Sequence, residues 1–64
     1  MYYERYEKIR TAAGRSDTEI AAAAGIPRAT ISDWKLGKST PKVDKMKAIA
    51  DVLGVTIDEL IKEE

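Results

Sequence analysis

The chain has 64 residues, of which 44% are hydrophobic and 34% charged, and it contains neither cysteine nor histidine. A chain of this length forms one domain at most, residues 1–64, because it buries only about 60% of the surface that its unfolded form exposes. The missing residue types exclude disulfides, thiolate chemistry and imidazole ligands. A metal site made of carboxylates alone stays open, but the acidic residues lack the loop spacing of calcium sites, so we expect no metal and no cofactor.

Other classes of protein are disfavoured by the same composition. No apolar run approaches the roughly 20 residues that span a bilayer, and the first residues do not resemble a signal peptide, so a cytoplasmic protein without membrane contact is expected. No nucleophile has a histidine or cysteine partner. The acidic residues mostly lie at helix starts or near the end of the chain, where capping explains them, so an enzyme is not expected.

The formal net charge is zero, yet the charges are unevenly distributed along the chain. Residues 1–27 carry four basic and four acidic side chains, whereas residues 28–47 carry six basic and two acidic ones, a balance of +4. Residues 48–64 carry one basic and five acidic side chains, a balance of −4. Charge that is segregated in this way makes one part of the surface positive and another part negative, although ordinary solvent-exposed helix faces produce the same pattern.

Two short helices are predicted first. One has apolar side chains at helical spacing, followed by a glycine that suits the left-handed conformation; these residues are Tyr2, Tyr6, Ile9, Ala13 and Gly14. The stretch Ser16-Asp17-Thr18-Glu19 is typical of a capping box, in which the serine hydroxyl accepts from a first-turn amide and the glutamate reaches back. The second helix follows and is expected to end at Gly25.

A third helix is predicted from Pro27, which suits the first helical position because its missing amide hydrogen costs nothing there. Ile31 and Trp34 share one face, which we assign to the core, and Gly37 ends the helix. The opposite face carries Arg28, Ala29, Ser32 and Asp33. The tyrosines are likewise expected to pack rather than to stack on bases; they are Tyr2, Tyr3 and Tyr6.

Two further helices complete the prediction. Thr40-Pro41 is expected to open the fourth, with a buried stripe at Val43, Met46, Ile49, Ala50 and Leu53. Thr56-Ile57-Asp58-Glu59 is a second capping box, which begins a fifth helix with apolar side chains at Ile57, Leu60 and Ile61. No convincing period-two strand occurs, so the predicted fold is all-α, a compact bundle of five short helices in which helices two and three form a helix-turn-helix.

A longer pattern covers nearly the whole chain. The residues E-I-A-x-x-A-G-I-x-R-x-T-I-S-x-W-x-x-G-K-x-x-P, followed by I-A-D-V-L-G-V-x-x-D-E-L, strongly resemble the lambda-repressor-like helix-turn-helix family. That family includes phage repressors, Cro proteins and the xenobiotic-response-element group of bacterial regulators. The resemblance covers roughly residues 3–61 and implies that helix three, about residues 28–35, enters the major groove of DNA.

The residues that would read bases follow from that placement, because side chains at the start and on the outer face of such a helix reach the base edges. Arg28 is expected to donate two hydrogen bonds to one guanine. Ala29 either packs on a thymine methyl group or is simply a small helix former. Ser32 can donate or accept. Asp33 either accepts from cytosine N4 or pairs locally, with Arg28 as the favoured partner.

Phosphate contacts are expected mainly from the end of helix three to the start of helix four. Outside that segment, Thr18 or the local amides of helix two would replace the family's glutamine, and Thr30 at the flank of helix three either touches the DNA backbone or fills a corner. Lysines, hydroxyls and helix amino-terminal amides bind phosphate oxygens, and the resemblance favours this function over a merely solvated loop. The expected phosphate-contacting residues are Thr18, Thr30, Lys35, Lys38, Ser39 and Lys42, with Thr40 and Lys45 as further candidates.

Several positions depart from the common family pattern. Asp17 stands where a glutamine usually grips a phosphate and braces the recognition helix; an acid there favours the helix dipole but repels phosphate. Lys35 stands where a glutamate usually pairs with an arginine of helix one, so Arg10 has no such partner. Leu36 replaces a frequent phosphate-binding asparagine, and Arg15 replaces a usual core leucine.

Two functions are therefore compared. The first is sequence-specific binding of double-stranded DNA by a regulator, expected to be a repressor that acts as a homodimer on a near-palindromic operator. The family suggests that the subunits join around Val55, Ile57 and Ile61. The second is a protein-interaction module, antitoxin-like or antirepressor-like, that keeps the fold with weak DNA contact. Zero net charge, Asp17 and Asp33 favour the second.

Overall fold

The computed structural model describes residues 2–61, except for the side chain of Tyr2, and within this range the chain forms five α-helices and no strand. They are α1 (Tyr2–Ala12), α2 (Asp17–Ala24), α3 (Arg28–Lys35), α4 (Val43–Leu53) and α5 (Ile57–Ile61). The all-α prediction is confirmed. The predicted packing of the Tyr2 side chain and the acidic residues after position 61 lie outside the described residues.

The start of α2 is fixed by the predicted capping box. The amide of Glu19 donates to Ser16 Oγ at 3.2 Å, and the amide of Ser16 donates to Glu19 Oε1 at 3.0 Å. At the other end Gly25 has φ +70°, and the amide of Ile26 donates to the carbonyl of Ala21 at 3.0 Å. This left-handed helix ending satisfies the last carbonyls of α2 and turns the chain directly into α3.

Three predicted boundaries differ from the structure. Ala13 lies beyond the end of α1 and is exposed, so it is not part of the apolar stripe. Pro27 is the residue before α3, in an extended conformation with φ −63° and ψ 141°, rather than its first helical residue. The fixed φ of proline is compatible with either position, and ψ determines where the helix begins.

The start of α4 was predicted two residues too early. Pro41 lies before the helix and is itself buried, and Lys42 precedes the helix in an extended conformation without a side-chain cap. The helix therefore begins at Val43, whose side chain is 74% exposed instead of buried. The first turn of α4 extends beyond the core, and helical spacing alone does not reveal such an overhang.

The core joins side chains from all five described helices. The buried hydrophobic residues are Tyr3, Tyr6, Ile20, Ala21, Ile31, Trp34, Met46, Ile49, Ala50 and Leu60. Helix α2 packs most extensively against α4 and also against α3, while α5 packs against α1 and α4. The amide of Glu59 donates to Thr56 Oγ1 at 3.1 Å, and Arg5 Nε donates to the Glu59 carbonyl at 3.0 Å, which ties α1 to α5.

Three aromatic rings connect α1 to α3. Trp34 lies 5.6 Å from Tyr3 in an edge-on arrangement at 85° and 5.1 Å from Tyr6, measured between ring centroids. The two tyrosine rings are 5.4 Å apart. The predicted core position of Trp34 is thus confirmed, and the inner face of α3 is fixed while its outer face stays free. None of the helices within residues 2–61 has the length and apolar character of a membrane-spanning segment.

Candidate nucleic-acid interface

Helix α3 divides into two faces. Ile31 and Trp34 are 0% and 1% exposed, whereas Arg28 and Ala29 are exposed and Ser32 is half-buried on the opposite side. This separation agrees with the sequence, because residues three positions apart, such as Ile31 and Trp34, lie on one face of a helix. The structure therefore separates the packing residues of α3 from those predicted to read bases.

Arg28, the first residue of α3, is held by hydroxyl groups from two helices. Its Nε donates to Thr18 Oγ1 of α2 at 3.3 Å, and its Nη1 donates to Ser32 Oγ one turn further along α3. The first of these bonds crosses the turn between α2 and α3, and together they leave one N–H of Nη1 and both N–H groups of Nη2 for other acceptors. A guanidinium whose orientation is restricted before binding loses less conformational freedom when a ligand arrives.

The expected pair between Arg28 and Asp33 is wrong. The guanidinium bonds Thr18 and Ser32, and no ion pair joins it to Asp33 in the part of the chain that the structure describes. The reason is helical geometry, since residues five apart point in directions about 140° apart around an axis with 3.6 residues per turn. Asp33 is half-buried, and its carbonyl accepts the amides of Lys38 at 2.8 Å and Ser39 at 3.4 Å.

The segment after α3 is exposed except at the buried Pro41. Its predicted phosphate-contacting side chains are all exposed: Lys35, Lys38, Ser39, Thr40 and Lys42. Lys45 and Thr30 are half-buried. Thr18 is exposed, and while its hydroxyl oxygen accepts from Arg28, its O–H group can donate to a phosphate. The structure thus brings Thr18, Arg28 and Ser32 together, with the lysines following at the end of α3.

A second polar cluster lies at the start of α2 and was not predicted. The carboxylate of Asp17 accepts from the Tyr6 hydroxyl at 2.7 Å and from the Tyr3 hydroxyl at 3.1 Å. Arg10 Nε lies 2.9 Å from the same oxygen that Tyr6 contacts, and the side chains of Asp17 and Arg10 are only 12% and 16% exposed. The expectation that this acid would face a phosphate is therefore replaced by an inward-facing role.

The pKa values of both tyrosines in this cluster are raised. Burial raises the pKa of the Tyr6 hydroxyl, and its hydrogen bond to the Asp17 carboxylate raises it further. The pKa of Tyr3 is also raised, first by burial and then by the negative charge of Asp17. Both effects favour the neutral phenol, which is the form that donates to the carboxylate.

The arginine of this cluster also explains a family departure. Arg10 pairs with Asp17 of α2 instead of a residue at the end of α3, and its Nη1 donates to the carbonyl of Arg15 at 2.9 Å. One feature of the sequence could have predicted this cluster. Tyr3, Tyr6 and Arg10 are three and four residues apart, so they share a face of α1 from which polar atoms can reach a common partner.

The fold and this arrangement define a helix-turn-helix protein, and comparison with known proteins agrees. Residues 7–60 match the family model described as "Helix-turn-helix". The chain belongs to the helix-turn-helix family of DNA-binding transcriptional regulators, as the sequence resemblance predicted.

Three relatives illustrate the similarity. The chain is 32% identical over 63 residues to the HTH-type transcriptional activator BcrR of Enterococcus faecalis, covering 98% of this chain and 31% of that protein. It is 34% identical over 62 residues to the SPbeta prophage-derived uncharacterized HTH-type transcriptional regulator YonR of Bacillus subtilis, covering 97% and 57%. For the HTH-type transcriptional regulator DdrOP3 of Deinococcus deserti, identity is 29% over 59 residues, covering 92% and 46%.

The chain therefore spans between about a third and somewhat more than half of the length of these relatives. No solved structure matches it significantly.

Proposed function

We propose that residues 1–64 form a sequence-specific binding domain for double-stranded DNA, within a phage-type or bacterial transcriptional regulator, and that α3 lies in the major groove. The observation that carries the proposal is the outer face of α3. It is accessible, and it begins with an arginine that Thr18 and Ser32 hold in place. The major groove accommodates one α-helix, and residues near its start approach the base edges.

The base contacts follow from the same face. Arg28 donates from its guanidinium to guanine O6 and N7, a bidentate contact that discriminates by about 1–3 kcal/mol. Ala29 approaches a thymine methyl group, and Ser32 donates to or accepts from a base edge. Asp33 accepts from cytosine N4 and disfavours other registers through its charge.

The phosphate contacts surround this helix. Lysines and hydroxyl groups that are exposed at the end of α3 donate to the DNA backbone and fix the register. They are Lys35, Lys38, Ser39 and Lys42, together with Thr30 beside the helix. Thr18 donates its hydroxyl hydrogen to a phosphate while its oxygen accepts from Arg28.

The proposed assembly is a homodimer on a near-palindromic operator. Two recognition helices then lie about 34 Å apart, one turn of DNA. Val55, Ile57 and Ile61 are half-buried around α5, so parts of these apolar side chains are accessible to a second subunit. We propose repression, because occupying an operator requires no surface beyond the one that binds DNA.

A regulator of this kind acts on DNA in the cytoplasm, and no catalytic activity is proposed for it. The relative named as an activator is much longer, since this chain covers only 31% of it.

A protein-interaction module is the second candidate. The observation in its favour is the exposure of Leu36 and Val43, which are 67% and 74% accessible at the end of α3 and the start of α4. Large exposed apolar side chains on a small domain are typical of protein contacts when they form a continuous patch. This alternative predicts DNA binding without sequence preference.

The test is selection from a pool of random DNA duplexes, followed by titration of the enriched duplex and a scrambled duplex of equal composition. Two or more base contacts predict a preference of at least about thirtyfold for the enriched duplex. The logarithm of the affinity should fall with the logarithm of salt concentration by about 0.9 per neutralised phosphate. Equal affinity for both duplexes, or binding that does not depend on salt, would contradict the proposal.

A further inference from the structure

The carboxylate of Asp17 is enclosed by donors from a different helix. Asp17 is the first residue of α2, and the two hydroxyl groups and the guanidinium that contact its carboxylate come from α1. Tyr6 and Arg10 contact Oδ1 at 2.7 and 2.9 Å, and Tyr3 contacts Oδ2 at 3.1 Å. Two hydroxyl hydrogen bonds and one ion pair on a carboxylate of low exposure hold it in one orientation, although Arg10 Nε is close enough for an ion pair without the geometry of a hydrogen bond.

These contacts also neutralise the carboxylate locally. The guanidinium of Arg10 balances its charge, and the two phenols occupy its oxygens on the inner side of the first turn of α2. The side chain consequently presents no unpaired negative charge to the DNA.

The first turn of α2 contacts Arg28, the candidate base-reading residue. Thr18 follows Asp17 in the chain, and Thr18 Oγ1 accepts from Arg28 Nε at 3.3 Å. The other side of this turn is held by the capping bond between Ser16 Oγ and the amide of Glu19. The position of the Thr18 hydroxyl is therefore set by a turn that is anchored both by its cap and by Asp17.

We propose that Asp17 is a positioning residue for base reading. Its contacts with Tyr3, Tyr6 and Arg10 fix the first turn of α2, so that Thr18 holds the Arg28 guanidinium toward the DNA. This inference rests on the proposed DNA-binding function. It assigns to Asp17 a favourable effect on DNA affinity, which is the opposite of what an acidic side chain near phosphates produces.

The proposal predicts that removing the Asp17 charge weakens DNA binding, whereas simple repulsion from phosphates predicts that it strengthens binding. Charge-removing variants therefore test the proposal directly. Asp17→Asn removes the negative charge and weakens the Arg10 contact with little change in volume. Tyr6→Phe removes one donor and leaves the net charge unchanged. Glu7→Gln is the matched control. Glu7 lies 3.8 Å from the same arginine and is 49% exposed. Its replacement removes one negative charge but none of the groups that contact the Asp17 carboxylate.

Each folded variant is titrated with the duplex that the unaltered protein enriches from a random pool and with a scrambled duplex. The fraction of folded protein is measured alongside by circular dichroism. We expect Asp17→Asn to bind the enriched duplex about tenfold more weakly, Tyr6→Phe about threefold more weakly, and Glu7→Gln equally or slightly more tightly. The preference over the scrambled duplex should fall for the first two variants only.

A spectroscopic measurement tests the coupling without DNA. The NMR resonance of the Arg28 Nε–H group reports its hydrogen bond to Thr18. It should move in Asp17→Asn and Tyr6→Phe and stay in place in Glu7→Gln.

The outcomes separate the inference from the function on which it rests. If the unaltered protein enriches no sequence, the proposed function fails and the inference fails with it. If it does enrich a sequence, but Asp17→Asn binds as tightly as Glu7→Gln and the Arg28 resonance is unmoved, only the inference is overturned. If Asp17→Asn does not fold, Tyr6→Phe decides by the same two readouts.

Discussion

Arg28 and Asp33 belong to one helix but have different surroundings. The arginine is held by two hydroxyl groups, whereas the aspartate has no ion pair to the arginine within residues 2–61. Its charge is therefore not cancelled by Arg28, and it acts on whatever approaches the outer face of α3. On a DNA-reading face, such a charge lowers affinity for every sequence while favouring those that offer a hydrogen-bond donor.

Asp33→Asn should reveal both effects. Removal of this half-buried negative charge is expected to tighten binding to a scrambled duplex roughly threefold, about the size of a charge interaction at a protein surface. Binding to the enriched duplex should gain less, so the preference between duplexes falls. Asp51→Asn, an exposed charge change on α4, is the control for net charge. Identical gains on both duplexes would leave Asp33 with no part in discrimination.

At the scale of elements, the connection between α2 and α3 determines how the outer face of α3 is presented. Gly25 adopts φ +70° there, and a Cβ added to it would meet no atom within 4 Å. Replacement of this glycine is therefore resisted by backbone conformation alone, without a steric clash.

Gly25→Ala is expected to lower the free energy of unfolding by about 1–2 kcal/mol, the cost of placing an L-residue in the left-handed conformation. Urea denaturation followed by circular dichroism measures this change. Gly25→Asn should lose less, because asparagine tolerates that conformation better. An unchanged midpoint for Gly25→Ala would mean that the turn relaxes to another conformation.

The helix boundaries show which features the sequence predicts and which it does not. Helix ends marked by local chemistry were predicted well, as at Ser16 and Gly25, because the capping atoms lie within a few residues of one another. The start of α4 was misplaced, since Pro41 is buried and Val43 exposed for reasons of packing.

The contacts of Asp17 could not be predicted from the local sequence pattern for a related reason. Its partners are 7, 11 and 14 residues away, and only the packing of α1 against the rest of the fold brings them together. The face of α3 that carries Arg28 was predicted correctly from helical spacing. The hydroxyl groups that hold Arg28 were not, because one of them comes from a different helix.

At the scale of the whole molecule, one cluster of aromatic and ionic contacts connects the first three helices. Trp34 of α3 packs on Tyr3 and Tyr6, and both tyrosine hydroxyls donate to Asp17 of α2. The stability of the domain should therefore depend on the neutral state of these phenols.

Alkaline pH should destabilise the protein through this cluster. The pKa values of Tyr3 and Tyr6 are raised by burial and by Asp17, so the folded state retains protons that the unfolded state loses near pH 10. This contribution to stability is complete below about pH 10 and is lost progressively at higher pH. Urea denaturation between about pH 9 and pH 11 should show a falling free energy of unfolding. The fall should be smaller in Tyr6→Phe; equal slopes for both proteins would argue against the cluster.

The central proposal is that α3 reads DNA through Arg28, and sequence selection by variants of this residue tests it most directly. The unaltered protein, Arg28→Ala and Arg28→Lys are each used to enrich duplexes from one random pool. We predict that the unaltered protein selects a guanine in each half-site and that Arg28→Ala loses this preference. Arg28→Lys should keep its affinity for scrambled DNA but select guanine less strictly, because it lacks the two-pronged donor. Selection of the same sequence by all three proteins would contradict base reading by Arg28.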